Sequence, residues 1–115
     1  MKPVHHPHAD EITLPGLMAA LSDPVRVQIV RSLASQGECS CGSFELDIAK
    51  ATRSQHLRVL REAGLTSTRA QGTLRIVSLR REELDARFPG LLDAVLAAAE
   101  REAATTAAAA AAVAV

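Results

Sequence analysis

The sequence predicts a mainly α-helical domain closed by a small β-hairpin, and three observations carry that expectation. First, 48% of the residues are hydrophobic but only 2% are aromatic. The core must therefore be built from Leu, Val, Ile and Ala, as in small helical bundles and mixed α+β domains. Second, apolar residues recur at helical spacing in one segment after another, each bounded by a cap or a breaker. Third, residues 65–79 switch to near-alternation around a glycine, the pattern of two paired strands. At 115 residues and 12.1 kDa the chain holds one core and is too short for two.

In chain order, Thr13 is expected to cap a first helix with Pro15 in its opening turn and Leu14, Leu17, Met18 and Leu21 along it. Asp23 and Pro24 start a second, which buries Val27, Ile29, Val30 and Leu33 and stops at Gly37. "CSCGSFELDIAKA" reads as a short third helix from Ser40 or Ser43, with Phe44, Leu46 and Ile48 inward. A fourth begins at Thr52, which with Gln55 spells a capping box; Leu57, Leu60 and Ala63 turn inward and Gly64 ends it. "LTSTRA" and "TLRIVSL" follow as strands joined at Gln71-Gly72. A helical turn or two in "RREELDARFPG" leads to a last helix with Leu91, Leu92, Val95, Leu96 and Ala99 on its apolar face. Residues 1–11 read as a flexible, His-containing arm, 12–100 as the domain, and 101–115 as an Ala-rich, low-complexity tail.

The formal net charge is +0, which alone argues against nucleic acid. Its distribution reverses that argument. Between Lys50 and Arg81 eight bases stand against the single acid Glu62, a local +7 on an otherwise acidic chain. Local field, not net charge, steers a phosphate-bearing partner.

Two short helices joined by a tight turn, the second amphipathic and basic on its free side, describe a helix-turn-helix, and the hairpin after it makes the winged variety. A major groove about 12 Å wide admits one helix, whose N-terminal residues reach base edges. Here those are Thr52, Arg53, Ser54, Gln55 and His56, flanked by Arg58. Arg can bond guanine and Gln adenine through paired contacts, while Ser or His can take a base edge or a phosphate. Arg69, Gln71 and Arg75, near the hairpin tip, can follow the DNA backbone or the minor groove. A half-buried His56 bonded within the turn is an equal alternative for that residue.

"LSDPVRVQIVRSLASQGECSCGSF" followed by "RSQHLRVLREAGLTSTRAQGTLRIVSL" resembles the ArsR/SmtB group of winged-helix repressors over about residues 12–98. The resemblance implies a homodimer, formed through the first and last helices, that sits on operator DNA and leaves it when an effector arrives. It assigns base reading to Ser54, Gln55 and His56, flanking contacts to Arg53 and Arg58, and the wing to the segment from Arg69 to Arg75. It also sets Cys39 and Cys41 where arsenic-sensing members carry a Cys-x-Cys pair at the start of their third helix. The residue three past Cys41 is Phe44, and two thiolates do not close a soft-metal site, which disfavours arsenite. His5, His6 and His8 are the available further donors, and a mixed sulfur and imidazole set would suit zinc or nickel. No cofactor is otherwise required.

No paired acid/base set, Gly-rich phosphate loop or Cys-x-x-Cys redox motif is present, so an enzyme is not expected. The start "MKPVHHPHADEITLPG" has no apolar stretch of signal type, and no run reaches the roughly 18 apolar residues of a membrane span. The expected setting is the cytoplasm, where two cysteines stay reduced. The sequence reading is thus a transcriptional repressor modulated by a metal ion or another effector. A thiol-based redox regulator without metal and a small metal-binding adaptor stand as alternatives.

Overall fold

Caps and prolines start the first two helices at the expected residues. In the computed structural model, which describes residues 4–113, Thr13 Oγ1 accepts the Gly16 N–H at 3.1 Å and opens α1 (Leu14–Ala20). Asp23 Oδ1 accepts the Val25 and Arg26 N–H groups and opens α2 (Pro24–Gln36), which Gly37 closes. Each pair satisfies orphan donors of a first helical turn while proline removes another.

The third predicted helix does not form. In its place the chain makes a two-residue strand β1 (Cys39–Ser40), a 3-10 turn over Cys41–Ser43, and an irregular run to Ala49. The cause lies in the side chains. From Phe44 to Ala49 burial alternates residue by residue, with Phe44, Leu46 and Ile48 inward and Glu45, Asp47 and Ala49 exposed. That period of two belongs to extended chain. Ser43 Oγ, donating to the Ser40 carbonyl at 2.8 Å, holds the turn in place of helical bonding.

The recognition-type helix α3 (Lys50–Ala63) begins two residues before Thr52, with extended Ala49 as its N-cap and no side-chain cap. The Thr52–Gln55 capping box is therefore absent, because both residues already lie inside the helix. At the other end Gly64 takes φ 93°, its N–H bonds the Arg61 carbonyl, and the Leu65 N–H reaches back to Leu60. This paired closure is a Schellman motif, and it buries Leu60 and Leu65 together.

The chain then enters β2 (Thr66–Gln71) and β3 (Leu74–Leu79), paired antiparallel from Thr66 with Leu79 to Gln71 with Leu74. The connecting pair is Gly72-Thr73, one residue later than expected. Gly72 has φ 61° and no described non-glycine residue has positive φ, so the loop follows the type II′ pattern that needs glycine first. β1 adds a third strand not foreseen, pairing Cys39 with Val77, in the order β1-β3-β2. The helix α4 (Arg81–Arg87) leads to α5 (Leu91–Val113), a rod of about 35 Å at 1.5 Å per residue.

Leu17, Ile29, Leu60, Leu65 and Val77 are almost wholly buried and join the helices to one face of the sheet. Leu92 also enters this core, and Val95 and Ala99, further along the same face of α5, line a groove with Met18, Leu21 and Val27. The expected N-terminal arm lies against the base of the hairpin. His6 Nε2 accepts the Thr68 N–H at 2.9 Å, Arg61 donates to the His5 carbonyl, and Arg80 donates to the Pro7 carbonyl. Residues 1–3 of that arm and 114–115 of the expected tail lie outside the described residues. No helix among the described residues is long and apolar enough to cross a membrane.

A Cβ on Gly64 would fall 2.5 Å from Cγ1 of Ile12, itself buried, and would sit on a left-handed backbone. Gly64→Ala is expected to lose about 1–3 kcal/mol from strain and crowding together. Urea denaturation should show a lower midpoint at unchanged slope; an unchanged midpoint would mean that this contact is not tight.

Candidate nucleic-acid interface

At about 100° per residue, α3 divides into two faces. Leu57 and Leu60 point into the core, while Thr52, Ser54, Gln55 and Arg58 are exposed. Arg53 and His56 are half-buried: His56 lies on the flank between these faces, and Arg53 lies one turn before Leu57 on the side of the core leucines. Three short polar side chains thus stand together on the first turns, beside Lys50, at the end of a helix whose leading N–H groups have no side-chain cap. An uncapped helix start favours anionic groups.

His56 is bound from below. Arg26, in the first turn of α2, donates through Nη1 to His56 Nδ1 at 3.2 Å and through Nε to the Ala20 carbonyl at 2.6 Å. Since guanidinium only donates, Nδ1 is the acceptor and a neutral ring carries its proton on Nε2. Asp23 lies in the same cluster. Burial pushes its carboxyl up, but the Val25 and Arg26 N–H bonds, with the charge of Arg26, outweigh that and hold it below the usual range. Sequence reasoning passed over Arg26. Its one signal is a charged residue inside the otherwise apolar run "PVRVQIV", a place where arginine needs partners.

The hairpin exposes Arg69, Gln71 and Arg75, with Gln71 at the end of β2 beside the turn. Arg53 of α3 and Arg75 of β3 both act electrostatically on Cys41. Several cations of the +7 segment are paired with carboxylates. Arg58 bonds Glu62, Arg69 bonds Glu38, Arg80 bonds Glu83, and Arg81 bonds Asp93 and Asp85. Three of these four cations find acids from outside the segment, which a count along the sequence cannot reveal. The Arg58 and Arg69 pairs are solvent-exposed and cheap to exchange for other anions. Arg80, with 8% of its side chain exposed, is a structural cation that ties the arm to α4.

The candidate metal donors are not brought together. His6 sits on the free edge of β2, whereas Cys39 belongs to β1 on the far side of β3. Two strand spacings, about 10 Å, separate those edges. The lone pair of His6 Nε2 is already used by Thr68. Burial, then the charges of Arg61 and Arg80, hold that imidazole below its ordinary value. Cys39 is buried with its Sγ against Gln36 Oε1 and the Gly37 carbonyl, each at 3.7 Å. Burial pushes the half-buried Cys41 thiol up, while the charges of Arg75 and Arg53 pull the other way. Among the described residues no three His, Cys, Asp or Glu side chains form a group that could hold a metal ion, so the five proposed donors do not fit zinc or nickel as arranged.

Known proteins share both the sequence and the shape. The sequence profile of the bacterial regulatory protein arsR family matches residues 23–68, which include α2 and all of α3. YceK of Bacillus subtilis, an HTH-type transcriptional regulator, is 42% identical over 82 residues, covering 69% of this chain and 82% of that protein. The biofilm growth-associated repressor of Agrobacterium fabrum is 38% identical over 100 residues, covering 85% of this chain and 82% of the relative. The crystal structure of the ArsR family transcriptional regulator RHA00566 superposes with a TM-score of 0.57 at 27% identity, over 70% of this chain and 89% of that one.

Proposed function

The chain belongs to the arsR family of bacterial regulatory proteins, which are DNA-binding transcription regulators and not enzymes, and on that premise we propose that it represses transcription by inserting the first turns of α3 into the major groove of operator DNA. The observation that carries this reading is the exposed set Thr52, Ser54 and Gln55, backed by Lys50 and Arg53, at an uncapped helix start beside a basic hairpin. Gln55 and Arg53 supply paired contacts to base edges, and Thr52 and Ser54 reach bases or phosphates. Arg58 exchanges Glu62 for a phosphate, and Arg69, Gln71 and Arg75 follow the backbone from the wing. That the Agrobacterium relative is a repressor supports the direction of regulation.

The operating form is a homodimer joined through α1 and α5. Leu14 and Met18 expose 46% and 41% of their surfaces on α1, next to a groove of about 450 Å³ whose lining includes Met18, Leu21, Val27, Val95 and Ala99. Large apolar side chains around such a groove favour a protein partner. Release by a metal ion would require donors that lie apart here to come together. One observation favours a thiol-switched regulator as a second reading: Cys41 is a free, half-buried cysteine that feels the charges of Arg75 and Arg53. It takes second place because burial lowers the thiolate fraction of Cys41.

Binding to a selected duplex should show log K falling linearly with log salt, and Arg75→Ala should reduce that slope by about one unit on every sequence. Gln55→Ala should cost about 1–3 kcal/mol on the preferred site and far less on random DNA. Salt-independent binding, or equal losses on both duplexes, would remove α3 from the groove. Met18→Glu should dissociate the dimer in sedimentation and weaken operator binding with it, because two recognition helices must meet half-sites about 34 Å apart. A Met18→Glu protein that sediments as an intact dimer places the interface elsewhere.

A further inference from the structure

Besides its apolar face, α3 is tied to the rest of the fold by the bond from Arg61 to the His5 carbonyl in its last turn and, close to its exposed first turns, by a connection that runs through Arg26. The guanidinium binds two things at once. On one side it closes the end of α1, donating to the Ala20 carbonyl at 2.6 Å and reaching the Ala19 carbonyl at 3.5 Å. On the other it holds Nδ1 of His56. Its own backbone N–H is fixed by Asp23, whose carboxylate also feels the charge of Arg26. Three helices therefore converge on one planar fork, and α3 takes part through a residue at its second turn.

The apolar contacts of Leu57 and Leu60 hold α3 on the core but are non-directional, so a small roll of the helix costs them less than it costs a hydrogen bond. A directed hydrogen bond at the flank of the helix does not allow that roll. His56 lies one residue beyond Gln55 and two beyond Ser54, so fixing its ring fixes the azimuth of the side chains proposed to face the bases. A shift of about 1 Å in a contacting group is enough to spoil a paired hydrogen bond.

We propose that Arg26 is a positioning residue for sequence recognition: by gripping His56 from the α1–α2 junction it sets the rotation of α3, and with it the discrimination between operator and other DNA. This inference rests on the reading of α3 as the base-reading helix. It separates His56 from its neighbours, giving it the task of receiving Arg26 instead of reading a base. Phosphate contacts, which tolerate small rotations and carry no sequence information, stay largely as they are.

The test compares Arg26→Met and His56→Leu in the full-length protein, using the duplex preferred by the wild type and a random duplex at one salt concentration. Each variant should lose about five- to hundredfold in affinity for the preferred duplex while the random duplex and the salt slope change little. The loss of discrimination should be spread over every base pair that α3 reads. His56→Asn, whose side-chain oxygen can accept the same Arg26 N–H, should restore most of the preference. In the Arg26→Met/His56→Leu double variant the losses should be less than additive, since both remove one interaction. Urea denaturation of each variant identifies a folding defect, and His56→Leu keeps the test valid if Arg26→Met does not fold, because it leaves the bond to the Ala20 carbonyl in place.

Three results would overturn the inference in distinguishable ways. Folded variants with an unchanged ratio of specific to random affinity would show that the connection is structural only. A loss confined to one base pair in His56→Leu, with Arg26→Met unaffected, would make His56 a direct base reader. A wild-type protein with no preferred duplex would remove the DNA reading itself, and the positioning role with it.

Discussion

Ile12 occupies the space that any side chain on Gly64 would need, and the geometry of the whole surface follows from that contact. Because the glycine can turn left-handed there, α3 stops within one residue, and Leu60 and Leu65 close under the turn. Ile12 is itself held, its carbonyl accepting a bond from Arg87 at 2.8 Å. The chain then leaves directly into β2, whose length and register place Gln71 and Gly72 at the far end of the hairpin. If α3 ended elsewhere, Thr66 would no longer face Leu79, and a one-residue slip would turn the inward Val77 toward solvent.

The electrostatic surface is less cationic than the sequence suggests and more organised. Acids recruited from the α2–β1 connection, α4 and α5 pair with Arg69, Arg80 and Arg81, so position along the chain overstates the charge that these three present. Exposed ion pairs such as Arg58 with Glu62 are worth little in water and hold their arginines in readiness at small cost. In Glu62 the hydrogen bond from Arg58 keeps the carboxyl below its usual range.

Much of this was legible in the chain. The proline-plus-cap starts of α1 and α2, the glycine stops, the hairpin and the polar face of α3 were read from local chemistry that the fold leaves in place. Errors arose where local chemistry is ambiguous. Phe44, Leu46 and Ile48 can be apolar positions of a helix or of an extended segment, and only their pairing partners decide. The Thr52–Gln55 signature marks a helix start only if the chain before it is not helical, and Lys50 and Ala51 are good helix formers. Tertiary polar contacts left still fainter traces. Nothing local links Arg26 to His56, thirty residues away, or His6 to Thr68, sixty-two residues away. Donor spacing suggested a mixed cysteine and histidine site, but the sheet holds those residues on opposite edges.

The central claim, that the start of α3 and the wing together form the DNA-binding surface, is tested most directly by backbone amide hydrogen exchange on the full chain with and without its selected duplex. The account predicts slowed exchange from Lys50 to Arg58 and from Arg69 to Arg75, with the Met18, Val27 and Ala99 groove unchanged by DNA. Protection that spares both segments, or that centres on α5, would contradict it.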